Sequence, residues 1–92
     1  MTPMLTVDAT PAGSGWECTV EVRQGEGSSR HVVQVQPGDL ERWGRPGERP
    51  EQLVRRAFEF LLAREPASQV LRRFEVGAIQ RYFPEFDREI RR

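Results

Sequence analysis

The side chains able to act as nucleophile, base or metal ligand are few: one histidine, His31, one cysteine, Cys18, and one tyrosine, Tyr82. Nucleophilic catalysis needs its base within hydrogen-bond reach, and a metal site needs several converging ligands. On the hairpin described below, Cys18 and His31 stand about four residues apart along the strands, roughly 13 Å at ~3.3 Å per residue. Neither a dyad nor a shared ion is expected at that separation. Cys18 reads as a small buried hydrophobe, and His31 as an edge residue capping the apolar face beside Val22. The stretch Gly25-Glu26-Gly27-Ser28-Ser29-Arg30 opens like a phosphate-cradling loop but lacks a third glycine. It also joins two strands, so no helix N-terminus is available to hold an anion. Glu85, Asp87 and Glu89 follow i, i+2 spacing, which turns neighbours on a helix to different faces, and they are expected to be solvated charges. No catalytic, cofactor or metal-binding residue is assigned, and the expectation is a chain without enzymatic activity.

Guanidinium chemistry is more plentiful. All 14 basic residues are arginine, and the chain has neither lysine nor asparagine. Arginine suits bidentate recognition of phosphate or carboxylate, although a GC-rich genome gives the same composition. The arginines are offset by 14 acids, so no strong field for a polyanion follows. Arg55-Arg56 is flanked by Glu51 and Glu59, Arg72-Arg73 by Glu75, and the terminal Arg88, Arg91 and Arg92 by Glu85, Asp87 and Glu89. Such mixing weakens a phosphate stripe. Tyr82 and the phenylalanines fall at core-like spacings rather than at alternate sheet positions where bases stack. Nucleic-acid binding is therefore not expected, nor is membrane binding.

The elements that position these residues belong to one small domain over residues 1–92, with 1–15 expected to be partly flexible. A chain of 92 residues buries roughly two-thirds of its extended surface in one core. A lone cysteine makes no internal disulfide, and the first residues lack both the basic start and the apolar run of a signal peptide, so the cytoplasm is the expected compartment. No stretch approaches the roughly 20 apolar residues of a membrane-spanning helix.

A short strand is expected at Met4-Leu5-Thr6-Val7, its first residues prone to fraying, and a turn at Thr10-Pro11-Ala12-Gly13-Ser14-Gly15. Strict alternation then sets Trp16, Cys18, Val20 and Val22 against Glu17, Thr19, Glu21 and Arg23, the period of a half-buried strand. A second run covers residues 30–36. Closing the hairpin at Gln24 and Ser29 places Val22 opposite His31, Val20 opposite Val33 and Cys18 opposite Val35, all on one face. The other face then pairs Glu21 with Val32, Thr19 with Gln34 and Glu17 with Gln36. Residues 39–44 read as one helical turn closed by Gly44.

Pro50 and Glu51 start a main helix that runs to about Arg64, because Pro66 disfavours helical geometry before it. Glu51 and Arg55 form an i, i+4 pair on its surface. Its apolar residues Leu53, Val54, Ala57, Phe58, Phe60, Leu61 and Leu62 fill a broad arc, which requires neighbours on two sides. Short helices are expected near 67–73, 76–83 and 84–91. The fold class is α+β: an antiparallel hairpin or three-stranded sheet packed on one main helix, with short C-terminal helices.

The blocks Phe58-Glu59-Phe60-Leu61-Leu62-Ala63-Arg64-Glu65-Pro66 and Arg81-Tyr82-Phe83-Pro84-Glu85 resemble a family of small uncharacterised bacterial proteins with a hairpin followed by F-x-F-L-L-x-R-E-P and R-Y-F-P-E. The resemblance covers roughly residues 16–90. It implies a bacterial domain and attaches no activity to it.

Partner binding has the clearest physical motive. The sheet leaves a long edge at residues 30–36 with unpaired backbone groups, which invites a strand of a second copy or of another protein. Arg30, Val32 and Gln34 mark that edge. Arg42, Trp43 and Arg45 lie in a loop setting suited to a binding anchor, although for Trp43 folding back over the end of the sheet as core is the favoured reading. The expectation is a protein-interaction or self-association module. The alternative is a small regulatory or antitoxin-like protein that binds nucleic acid or a toxin.

Overall fold

The computed structural model describes residues 3–91. Met1 and Thr2, at the end expected to fray, and Arg92 of the basic tail lie outside the described residues. The architecture is α+β. Strands β1 (Met4–Ala12), β2 (Gly15–Gln24) and β3 (Gly27–Val35) are followed by helices α1 (Pro37–Trp43) and α2 (Pro50–Leu62). A 3-10 turn at Ala67–Gln69, strand β4 (Arg73–Glu75) and helices α3 (Ala78–Tyr82) and α4 (Phe86–Glu89) complete the chain.

The strands lie in the order β1-β2-β3-β4, the first three antiparallel and β4 parallel to β3. Both hairpins close through two-residue turns. Gly13 and Gly25 occupy their first central positions with φ of 61° and 63°, a left-handed geometry that glycine adopts without a steric penalty. The stretch expected as a turn, 10–15, is thus mostly strand, and β1 reaches Ala12. Pro11 is tolerated because β1 is an edge strand.

The tight turn at Gly25-Glu26 corrects the expected register. Gln24 pairs with Gly27 instead of Ser29, so Val20 faces His31, Cys18 faces Val33 and Trp16 faces Val35. A slip of two residues preserves side-chain parity, and Cys18, Val20, Val22, Val33 and Val35 are all buried. On the opposite face Glu21 now sits directly across from Arg30, and the two form an ion pair of 3.4 Å.

The tail departs further. The helix expected over 67–73 is a 3-10 turn followed by extended chain, because β3 takes up its backbone groups. Val32 N–H donates to the Arg72 carbonyl at 2.7 Å, and Val76 N–H donates to the Gln34 carbonyl at 3.0 Å. The sheet therefore has four strands, and its helices contribute to one shared core. Leu53, Val54, Ala57, Phe58, Phe60 and Leu61 of α2 are buried with the strand residues, together with Trp43, Val76, Ile79, Phe86 and Ile90. Gly44 closes α1 in an extended conformation, φ −79°. A Cβ there would stand 2.5 Å from the Leu40 carbonyl, so close approach rather than left-handed geometry selects the glycine.

One polar side chain ties the helical layer together. Arg56 of α2 meets the Glu48 carboxylate through Nε to Oε2 at 2.8 Å and Nη2 to Oε1 at 2.6 Å. Nη2 also donates to the Trp43 carbonyl at 3.2 Å, and Nη1 to the Ile90 carbonyl. The pair is largely buried, with side chains 16% and 8% exposed. The Arg56 hydrogen bonds hold the Glu48 carboxyl below its ordinary 4.5 despite the opposing effect of burial.

Removing one member of a buried pair leaves the other uncompensated, so Arg56→Ala is expected to lose about 3 kcal/mol of stability in urea unfolding. Because the Glu48 pKa is lowered on folding, its contribution is present above pH 4.5 and lost as pH falls through the folded value. Glu48→Gln should flatten that acid limb in thermal melts, and an unchanged pH profile would contradict the assignment.

Candidate functional site

The structure does not gather the residues picked out on the sequence. Trp43 is 2% exposed. Its indole N–H donates to Asp87 Oδ1 at 2.8 Å, and its ring meets Phe86 at 5.7 Å between centroids. Trp43 is core, not a loop anchor. The Arg42 guanidinium lies 4.7 Å from the Trp43 ring centre and 3.4 Å from Asp87. Arg45 lines a shallow cavity of about 450 Å³ with Trp16, Leu40 and Pro46. Arg30 pairs with Glu21. Val32 and Gln34 do not lie on a free margin, since β4 covers their outward backbone.

The carboxylates expected to be solvated have partners as well. Arg64 reaches Glu85 at 3.4 Å and Glu89 at 2.9 Å. Asp87 accepts from Trp43 and lies near Arg42 and Arg91, which together hold its carboxyl below the ordinary range. Of the basic pairs, Arg55 donates to the Leu5 carbonyl at 2.9 Å instead of pairing with Glu51, and Arg56 is enclosed. These guanidiniums are engaged within the chain.

His31 is fully buried rather than an edge cap, 1% exposed, with its ring 5.2 Å from that of Phe58. Nδ1 lies 2.8 Å from the Leu71 carbonyl. A carbonyl can only accept, so Nδ1 carries the hydrogen, and in the neutral ring Nε2 accepts from the Ser29 hydroxyl at 2.8 Å. The corrected register makes Cys18 and His31 diagonal neighbours, closer than the expected 13 Å and roughly 7–8 Å apart. Both ring nitrogens are nonetheless engaged elsewhere, and the thiol is not activated. Burial, aided by the Glu51 charge, pushes Cys18 from 9.0 up to about 11. Among the described residues no group of three or more His, Cys, Asp or Glu could hold a metal ion.

What the fold does gather is an apolar groove of about 360 Å³. Leu61 at the end of α2, Val70 and Leu71 before β4, Phe74 within it, and Ala78, Ile79, Tyr82 and Phe83 of the α3 region line it, with Glu65 and Gln69 as its polar members. Two lining side chains are large, apolar and open to solvent: Leu71 at 54% and Tyr82 at 70% exposed. Tyr82 was expected at a core spacing. Its neighbour Phe83 takes the inward place, packing edge-on to Phe60 at 5.9 Å. The sequence signal for the groove is the adjacency of apolar residues in Val70-Leu71 and Tyr82-Phe83, since in each pair only one can point inward.

No family model matches the chain, and neither a curated protein nor a solved structure matches it. No helix among the described residues is long and apolar enough to cross a membrane.

The folded chain holds the Cys18 proton more tightly than the unfolded chain does. Stability is therefore intact below pH 9.0 and declines as pH rises from there towards about 11. Cys18→Ala should remove that alkaline slope. In native buffer at pH 8, a disulfide reagent such as Ellman's should titrate Cys18 only on addition of denaturant; complete reaction on mixing with folded protein would show an exposed thiolate instead.

Proposed function

We propose that the chain is a non-enzymatic protein-interaction module whose docking site is the groove rimmed by Leu71 and Tyr82. The observation that carries this reading is that two of the three large exposed apolar side chains among the described residues, Leu71 and Tyr82 but not Met4, rim one concave apolar surface. Exposed apolar surface gathered at a groove marks a binding site more often than scattered exposure does. Its volume suits one or two bulky side chains of a partner segment rather than a flat protein face.

Charge at the rim specifies the partner further. Arg72 follows Leu71 and Arg81 precedes Tyr82. Among the described residues neither has an ion partner. A segment that inserts a Leu, Phe or Trp and carries Asp or Glu beside it would satisfy both the groove and these guanidiniums. Glu65 and Gln69 supply acceptor and amide groups for the segment's backbone.

A displayed library of random peptides tests this directly. Selection on the immobilised protein should enrich sequences with an aromatic or aliphatic anchor next to acids. Amide shifts on binding should centre on Leu71, Phe74, Ala78 and Tyr82. Tyr82→Ser and Leu71→Ser should each weaken binding at least about tenfold, the effect of losing roughly 1.4 kcal/mol, while the melting temperature stays nearly constant because both side chains are exposed. Failure to enrich any peptide, or binding indifferent to both substitutions, would overturn the reading.

A further inference from the structure

The opposite margin of the sheet carries a second surface, independent of the groove. In a two-residue hairpin the closing pair is hydrogen-bonded, so Ala12 and Gly15 are such a pair. Counting back by twos, the even residues of β1 bond to β2, while Leu5, Val7 and Ala9 point their N–H and C=O groups outward. The Leu5 carbonyl confirms this parity, since it accepts from Arg55. The outward groups of Val7 and Ala9 have no strand partner, because β1 ends the sheet. No lysine protects this margin, and its prolines, Pro3 just before the strand and Pro11 near its other end, lie outside the stretch Leu5, Val7 and Ala9.

We propose that β1 pairs antiparallel with β1 of a second copy about a two-fold axis at Val7, extending the sheet across both copies. Three features select that register. Val7 opposite Val7, with Leu5 opposite Ala9 on either side, uses every outward N–H of the three residues, whereas moving the axis to Asp8 sets Leu5 against Pro11, which has no N–H to give. The same shift would put Asp8 directly against Asp8 of the second copy, a like-charge contact that the Val7 axis replaces with Asp8 against Thr6. Finally, Glu51 lies near Cys18, opposite Ala9, while Arg55 lies at Leu5. Pairing Leu5 with Ala9 brings Arg55 of each copy towards Glu51 of the other. Neither residue has an ion partner within its own chain among the described residues.

Light scattering after size exclusion of the full chain should give a mass near twice 10.6 kDa at high protein concentration. Val7→Pro removes an outward N–H that the isolated chain does not use. It should yield monomer with an unchanged far-ultraviolet circular dichroism spectrum, and a folded Val7→Pro dimer would overturn the pairing. Glu51→Arg should also weaken the dimer, with recovery in Glu51→Arg/Arg55→Glu. Met4→Cys/Thr10→Cys, two positions that oppose one another between copies only in this register, should cross-link on mild oxidation, while Asp8→Cys should not. Efficient cross-linking through Asp8→Cys alone would refute the Val7 axis. A wild-type monomer at every concentration would refute the pairing altogether, whatever the groove binds.

Discussion

Three separate stretches of this chain converge on the Arg56 guanidinium: the end of α1 through the Trp43 carbonyl, the connection to α2 through Glu48, and the C-terminal segment through the Ile90 carbonyl. None of these groups could be withdrawn from water alone without a substantial penalty. Together they satisfy one another, and they do so around a helix whose apolar face already supports the sheet. The Trp43 indole reaches Asp87 from the same cluster, and Phe86 packs on both Trp43 and Phe60. The tail is therefore seated by a polar centre surrounded by rings. Since α3 precedes that tail directly, the wall of the groove inherits its position from it.

The other wall is set by His31. Its Nδ1–H holds the Leu71 carbonyl, while the outward groups of β3 hold the chain on either side of β4. A buried imidazole with both nitrogens satisfied is a positioning element. Leu71 stays outside because its own carbonyl is fastened inward. The exposed leucine and the buried histidine are thus two ends of one local constraint. The groove lies at the β4 side of the sheet and the proposed pairing surface at the β1 side, so occupation of one leaves the other open.

Strand faces were legible from the sequence because alternation at period two depends only on parity. Cys18, Val20, Val22, Val33 and Val35 point inward under either hairpin register. The register itself depends on whether the chain reverses over two residues or four, and Gly25-Glu26-Gly27-Ser28 is compatible with both. Helix α2 was legible from Pro50, Glu51 and its wide apolar arc. Strand β4 was not, because Arg73-Phe74-Glu75 is too short to show a period and becomes a strand only beside β3. Trp43 illustrates the same limit: its burial depends on Asp87, 44 residues away. The candidate site was the least legible part, since two adjacent apolar residues do not announce which one will face outward.

The parallel placement of β4 has a consequence for the order in which the molecule assembles. An antiparallel hairpin closes over a short loop, but β4 can join β3 only after the intervening helices have folded back across the sheet, and His31 and Leu71 are 40 residues apart. Loop-closure entropy makes this docking late, and three paired residues make it shallow. The contrast in pairing is plain: β4 meets β3 over three residues, whereas β1 with β2 and β2 with β3 pair over nine each. The proposed docking surface thus lies beside the most briefly paired strand of the sheet, where adjustment to a bound segment would disturb the fewest ladder hydrogen bonds.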